Sequence, residues 1–175
     1  MATHRYFKTA QGRELAYHHS EGTGPAIVFL SGFKSDMQGT KAVHLEAWAR
    51  RSGRAFLRFD YSGHGQSSGA FTDGCISDWS EDAVAAVTHL IDGPVILVGS
   101  SMGGWIALLL AQRLEQTKVA GMVTVAAAPD FTEDSMWAGF DDAERSDLQR
   151  FGQVVLPSDY DEPYVITRRL IEDGR

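Results

Sequence analysis

The sequence predicts an α/β fold in which helices cover both faces of a mostly parallel sheet. Short apolar runs rich in Val, Ile, Leu and Phe alternate along the chain with longer amphipathic stretches, the pattern expected of parallel strands joined by helices. Glycine-containing turns follow several of the apolar runs. The composition of the 175 residues, 43% hydrophobic and 22% charged, fits a single hydrophobic core.

The predicted elements follow one another in a regular order. A hairpin spans about residues 6–19 and turns at Gln11-Gly12. The predicted strands cover residues 26–30 and 55–59, a run from about 95, and residues 119–126, with Pro129-Asp130 ending the last. The predicted helices cover residues 41–51 and 79–91, a run that ends at 114, and residues 164–171 before Gly174.

The strongest local signal is a G-x-S-x-G motif at residues 99–103. It lies between a strand-like run from Pro94 to Val98 and a helix-like run from Trp105 to Ala111. A serine in such a tight turn is held exposed, and the following helix N-terminus favours developing negative charge. The motif predicts Ser101 as a nucleophile, with glycine at 99 and 103 because a side chain there would separate strand and helix.

A second apolar run, from Ala26 to Leu30, leads into Ser31-Gly32-Phe33. Taken alone, these three residues form an ordinary turn at the end of a strand. Together with the serine motif, they match the loop that supplies one of two backbone amides to an oxyanion hole. We therefore expect the N–H groups of Phe33 and Met102 to be the two oxyanion donors.

A third motif, Asp60-Tyr61-Ser62-Gly63-His64-Gly65, follows the strand-like run at residues 55–59. With it the chain resembles the α/β-hydrolase superfamily, in which a D-x-x-G-x-G-x-S stretch occupies this place. Residues 31–42 make the sequence similar to the abhydrolase-domain palmitoyl-protein thioesterases, a branch that includes depalmitoylase and acyl-glucuronide esterase activities, and to their bacterial relatives. The resemblance covers roughly residues 5–130.

The resemblance implies a three-layer α/β-hydrolase fold and a substrate that is a small-molecule acyl ester or an S-acylated protein. It implies no cofactor and no metal. Within this resemblance Asp60 and His64 shape the turn, so we expect structural roles for both. The acyl group, the leaving group and the oligomeric state are left open.

Composition and charge exclude several other classes of protein. The net charge of −7 and the absence of a basic stripe argue against a nucleic-acid partner. Cys75 is the only cysteine, which excludes an internal disulfide and a cysteine-based zinc site and fits a reducing compartment. No run approaches the length of a membrane span, and the first residues resemble no targeting signal. These observations favour a cytoplasmic protein.

The character of the chain changes after residue 129, so we divide it into a hydrolase core at 1–129 and a lid-like helical segment at 130–175. Residues 130–147 contain seven acidic residues and one basic residue, with Met136, Trp137 and Phe140 among them. In the resembled superfamily this excursion commonly forms a lid whose apolar residues line an acyl pocket. A solvated acidic helix whose aromatic residues pack onto the sheet is an equal alternative.

The histidines depart from the superfamily pattern. Its triad runs in the order Ser, then Asp or Glu, then His, but all six histidines of this chain precede Ser101. The two strands that normally follow the lid and deliver triad residues are also missing, which would leave the run at 119–126 as an exposed apolar edge. We therefore expect the 175 residues to be about the N-terminal two thirds of a longer hydrolase.

Two functional interpretations follow from these observations. The first is a serine hydrolase of the esterase and thioesterase type, nearly inactive as this chain because a base for Ser101 is missing. Asp130 follows a predicted strand end, where some superfamily members place their acid, but its expected role is to end the strand. The second interpretation is a non-catalytic protein that keeps the serine turn as scaffold and binds a partner through the open sheet edge.

Overall fold

The computed structural model describes residues 4–157 and 163–175, and its centre is a twisted sheet of six strands. The strands are β1 (Arg5–Lys8), β2 (Glu14–Ser20), β3 (Thr23–Leu30), β4 (Arg54–Phe59), β5 (Val95–Ser100) and β6 (Val119–Val125). Their order in the sheet is β1-β2-β4-β3-β5-β6. Strands β4, β3, β5 and β6 pair in parallel, whereas β2 pairs antiparallel with β1 and β4.

Helices cover both faces of this sheet, as the sequence predicts. Helix α1 (Thr40–Arg51) packs on one face, where Ala42 and Ala49 meet Ile27, Phe29 and Phe56. Helices α2 (Ile76–Leu90) and α3 (Met102–Arg113) pack on the opposite face. Because side chains alternate along a strand, Val28 and Leu30 point to the second face and Phe29 to the first. The predicted α/β class is confirmed.

The parallel pairing fixes where a site can form. Strands β3 and β5 are paired neighbours, and Leu30 lies opposite Gly99 at their carboxyl ends. The loops that leave these two strands therefore begin side by side, at the edge of a parallel sheet where α/β proteins bind their ligands. This places the turn after Leu30 beside the G-x-S-x-G motif.

The segment after β6 contains strands that the sequence did not predict. A π-helix (Thr132–Trp137) leads to α4 (Asp142–Phe151), and β7 (Gln153–Leu156) pairs antiparallel with β8 (Tyr164–Thr167) before the short helix α5 (Arg168–Asp173). The prediction of a helix over residues 164–171 is wrong in its first half. Residues 164–167, Tyr-Val-Ile-Thr, are aromatic and β-branched and so favour a strand. They pair with β7, with Ile166 opposite Val154.

Strand β6 ends earlier than predicted. It stops at Val125, where Ala126 adopts a φ of +47°, so Pro129-Asp130 does not end it. Among the described strands β6 lies at an edge of the sheet, and Val123 and Val125 are exposed. The exposed apolar edge expected from the sequence is therefore present.

A charged cluster joins the first hairpin to α2. The guanidinium of Arg13 lies 2.6 Å from Asp82, 3.0 Å from Glu81 and 3.4 Å from Asp78. Asp82 is fully buried and also accepts hydrogen bonds from the backbone and hydroxyl of Ser62 at 2.8 and 2.6 Å. Arg13 therefore neutralises a carboxylate that has no access to water, the arrangement in which an ion pair matters most.

No helix within residues 4–157 or 163–175 is long and apolar enough to span a bilayer.

Candidate active site

Ser101 occupies the turn between β5 and α3 with a strained backbone. Its φ and ψ are 54° and −121°, a region that a residue with a Cβ adopts only where the surrounding structure imposes it. Its N–H donates to Val125 O at 3.0 Å, and its carbonyl accepts from Gly104 N at 2.8 Å and Ala128 N at 3.2 Å. The positive φ expected of a nucleophile turn is present, and Ser101 is exposed at the sheet edge.

The glycines around Ser101 permit backbone contacts that no other residue would allow. A Cβ on Gly99 would lie 2.2 Å from the carbonyl oxygen of Gly103, and a Cβ on Gly103 would lie 2.0 Å from that of Leu30. Both obstructing atoms belong to the backbone, so they cannot move aside as a flexible side chain could. The glycines thus hold α3 directly against β5 and β3, as the sequence analysis proposed.

The loop after β3 forms a tight turn beside Ser101. The N–H of Ser35 donates to Gly32 O at 3.1 Å, and Lys34, the third residue of this β-turn, has a φ of +52°. A Cβ built on Gly32 would lie 3.4 Å from the Cβ of Ser101. The turn therefore packs against the serine with no side chain between them.

Two backbone amides at this junction lack acceptors. Neither the N–H of Phe33 nor that of Met102 donates a hydrogen bond to any residue within 4–157 or 163–175. Buried amides are nearly always paired, and Met102 is fully buried. Unpaired donors beside an exposed serine are what an oxyanion hole requires before substrate binds.

Aromatic side chains surround the ring of Phe33. Phe71, Phe131, Trp79 and Tyr164 have ring centroids 5.0, 5.4, 6.1 and 6.3 Å from that of Phe33. Phe131 and Tyr164 come from the segment after β6, so this segment contributes to the aromatic wall around Phe33, which lies in the turn that packs against Ser101. Met136, Trp137 and Phe140, the apolar residues named from the sequence in this segment, also pack with the core cluster.

Trp105 and Lys34 complete this wall. Trp105, on α3, contacts Phe131 at 5.8 Å between centroids. The ammonium of Lys34 lies 5.3 Å from the ring centroid of Phe71 and 4.9 Å from that of Tyr164, within cation–π range. Sequence reasoning missed Lys34, Phe71, Trp105 and Tyr164. Only the position of Lys34 next to Phe33 could have pointed to it.

Asp60 and His64 organise the neighbouring loop. The Asp60 carboxylate accepts from Met37 N at 2.6 Å and Gln66 N at 2.9 Å, and burial raises its pKa. His64 is buried, with Nδ1 3.1 Å from Ser62 O, and burial lowers its pKa. Asp60 thus ties this loop to the loop after β3, and His64 bonds within its own loop, in agreement with the structural roles expected from the sequence.

The described contacts of Ser101 include no acid or base. None of His4, His18, His19, His44, His64 and His89 forms a hydrogen bond with Ser101 in the described part of the chain. Asp130 adopts a φ of +55°, and its carbonyl oxygen accepts from Glu133 N and Asp134 N at 2.9 Å. Asp130 therefore precedes the π-helix and accepts hydrogen bonds from its residues, and it does not end β6.

Comparisons with known proteins agree with this geometry. The family described as alpha/beta hydrolase fold matches residues 25–170. The mitochondrial palmitoyl-protein thioesterase ABHD10 of Homo sapiens is 37% identical over 148 residues, which are 85% of this chain and 48% of the relative. The rat protein of the same name is 34% identical over 157 residues, covering 90% of this chain and 52% of the relative. The chain thus spans about half the length of these curated relatives.

Solved structures lead to the same family. A hydrolase from Agrobacterium vitis superposes with a TM-score of 0.91 at 40% identity, covering 99% of this chain and 71% of that one. The mouse alpha/beta hydrolase domain-containing protein 10 superposes with a TM-score of 0.86 at 31% identity, covering 99% and 69%. The serine turn, the parallel sheet and these matches together show that the chain belongs to the α/β hydrolase fold family.

Proposed function

We propose that this protein is a serine hydrolase that cleaves acyl esters or thioesters. Ser101 is the nucleophile, and the amides of Phe33 and Met102 bind the oxyanion. One observation carries the proposal: an exposed serine with a φ of 54° lies beside two backbone amides that have no acceptor in the described residues. Such pre-oriented donors stabilise the charge of a tetrahedral intermediate.

The reaction then follows the chemistry of acyl transfer. The Ser101 hydroxyl loses its proton to a base as Oγ bonds to the acyl carbon, and the carbonyl oxygen takes the negative charge between the two amides. Collapse of the intermediate expels the alcohol or thiol, which receives a proton. Water then attacks the acyl-serine by the same route and releases the acid.

The substrate class is supported by the wall beside the serine and by the relatives. Phe33, Phe71, Phe131 and Trp105 offer apolar surface suited to an acyl chain. The relatives' names describe a palmitoyl-protein thioesterase and, in Nitrosospira multiformis at 32% identity, a pimeloyl-[acyl-carrier protein] methyl ester esterase. We propose a small-molecule acyl ester or an S-acylated protein as substrate, with no cofactor.

We propose that the 175-residue chain alone turns over substrate very slowly. A serine hydroxyl is a poor nucleophile at neutral pH without an adjacent base, and no described histidine contacts Ser101. The cytoplasmic location likewise remains a proposal, based on the lone Cys75, while the thioesterase relatives are named mitochondrial.

A second candidate is a non-catalytic binding protein. The exposed Val123 and Val125 on the edge strand β6 favour it, because an open apolar edge can pair with another chain. This candidate predicts that the serine turn is dispensable for the protein's role.

Hydrolysis by the protein and its Ser101→Ala variant separates the two candidates. The slow release of 4-nitrophenol from 4-nitrophenyl butyrate and of thiol from an octanoyl thioester by the 175-residue chain should disappear in Ser101→Ala. The control Ser52→Ala changes an exposed serine at the end of α1 and should leave both rates unchanged. Activity that survives in Ser101→Ala would refute Ser101 as the nucleophile.

A further inference from the structure

Beside the serine, on the α1 face of the sheet, lies a cavity that the proposed reaction does not use. It has a volume of about 240 Å³. Its lining includes the last residues of β3 and β5 and the first turn of α1: Phe29, Ser31, Gly32, Ser35, Asp36, Gly39, Thr40, Lys41, Ala42 and Ser100. Ser100 directly precedes the nucleophile, so the cavity adjoins the turn that holds Ser101.

The first turn of α1 brings unpaired donors to this cavity. The helix has 12 residues, and Gly39 at its N-cap provides no side-chain hydrogen bond. Within the part of the chain that the structure describes, the N–H groups of Thr40, Lys41 and Ala42 have no acceptor. Three free amides at the positive end of a helix dipole form a binding site for an anion.

An independent observation in the same cavity points to a ligand. Ser31 is 3% exposed, and its hydroxyl has no hydrogen-bond partner. Ser31 directly follows the last residue of β3, and it lines the cavity together with Phe29. A buried hydroxyl without a partner is costly, and a polar ligand in the cavity would provide one.

The charges around the cavity partly balance each other. Lys41 brings an ammonium, and Asp36 brings a carboxylate whose Oδ1 accepts from Gln38 N at 2.8 Å. The free amides and the helix dipole therefore decide the sign of the preferred ligand. The arrangement suits a compact anion such as a carboxylate or a phosphate.

We infer that this cavity binds an anionic group of the substrate, a carboxylate or phosphate close to the scissile ester. The inference rests on the proposed function for its substrate, because the cavity adjoins Ser101: a Cβ on Gly32, which lines the cavity, would lie 3.4 Å from the Cβ of Ser101. An ester that also carries such an anion would place its carbonyl beside Ser101 and its anion in the cavity.

Binding is measured without turnover, so it stays distinct from hydrolysis. The ¹⁵N-labelled Ser101→Ala protein is titrated with inorganic phosphate, with monomethyl succinate and with its neutral counterpart dimethyl succinate. The two anions should shift the amide signals of Thr40, Lys41 and Ala42, and dimethyl succinate should not. Monomethyl succinate should also compete with phosphate and shift the Met102 amide.

Variants at the start of α1 identify the donors. Thr40→Pro deletes one amide at the first helical position, where proline is well tolerated, and Thr40→Ala deletes only the hydroxyl. Phosphate should bind roughly tenfold more weakly to Thr40→Pro than to Thr40→Ala. Asp36→Asn should bind it up to about fivefold more tightly, and Lys8→Met, on β1, should bind it unchanged.

The outcomes are separable. Equal affinity in Thr40→Pro and Thr40→Ala, or no tightening in Asp36→Asn, would overturn the anion site. Phosphate binding without competition from monomethyl succinate, or without its shift at Met102, would overturn the assignment to substrate. Anion binding with the expected variant effects in a protein that hydrolyses no ester would leave the site in place and refute the proposed function alone.

Discussion

Replacing Gly103 by alanine tests how the nucleophile turn is held. The added Cβ would lie 2.0 Å from Leu30 O, 2.5 Å from Leu30 C and 2.7 Å from Ser31 O. Ordinary contact begins at 3.4 Å, so α3 and the end of β3 must separate by about 1.4 Å. Overpacking of this kind typically costs about 1–3 kcal/mol, and for a domain of this size each kcal/mol lowers the Tm by about 2–4 °C.

The same displacement moves the Phe33 amide, which follows β3 by three residues, away from the position of the oxyanion. A misplacement of about 1 Å can reduce the rate by about 10²-fold. Thermal unfolding followed by circular dichroism and the rate of ester hydrolysis measure the two effects. In the control Gly121→Ala, the nearest atom to the new Cβ is a side-chain atom of Ile96 at 3.9 Å, so neither quantity should change. An equal Tm and an equal rate of ester hydrolysis in Gly103→Ala and Gly121→Ala would refute the reasoning.

Three further predictions concern stability and the aromatic wall. Arg13→Met leaves Asp82 buried without its cation and should lower the free energy of unfolding by about 3 kcal/mol. Arg168→Met, which breaks an exposed pair with Glu172, should lower the free energy of unfolding by under about 1 kcal/mol. Urea titration measures both changes. Burial lowers the pKa of His64 in the folded protein. Below the ordinary histidine pKa of about 6.5, the unfolded chain therefore binds more protons at this residue than the folded protein does. The contribution of His64 to stability is therefore present above pH 6.5 and lost as the pH falls below it. Urea titrations should show that the free energy of unfolding falls less between pH 7.5 and pH 5.5 in His64→Gln than in the unsubstituted protein. An equal fall in the two proteins would contradict this. Phe131→Ala should raise KM for octanoyl more than for acetyl esters, and equal changes would exclude Phe131 from the acyl wall.

The sequence predicted the layers of the fold correctly, and its assignment of the site residues stays a prediction. Strong periodicity marked the strands and helices around residues 26–114, and the G-x-S-x-G spacing located Ser101 because the turn tolerates only glycine at its flanks. The loop carrying Phe33 was predicted because Ser31-Gly32-Phe33 follows an apolar run and matches an oxyanion loop, and the structure pairs its strand with β5.

The segment after β6 was harder to predict. Tyr164 and its neighbours were assigned to a helix because a helical run, Arg168–Asp173, follows directly. In the structure they pair with the preceding strand β7. The Tyr-Val-Ile-Thr run has a strand signal of its own, but it is short and adjoins the helical run. Lys34 directly follows Phe33, but its contacts with Phe71 and Tyr164, and the cavity at the start of α1, depend on residues that are distant in sequence.

The most direct test of the account is the site at which a fluorophosphonate reacts. After prolonged incubation of the 175-residue chain with diisopropyl fluorophosphate, peptide mass spectrometry should find the adduct on Ser101 alone. It should form slowly, at a rate unchanged in His64→Ala, because the oxyanion donors are present and no described base contacts the serine. An adduct on another serine would contradict Ser101 as the nucleophile, and rapid labelling that disappears in His64→Ala would make His64 the base.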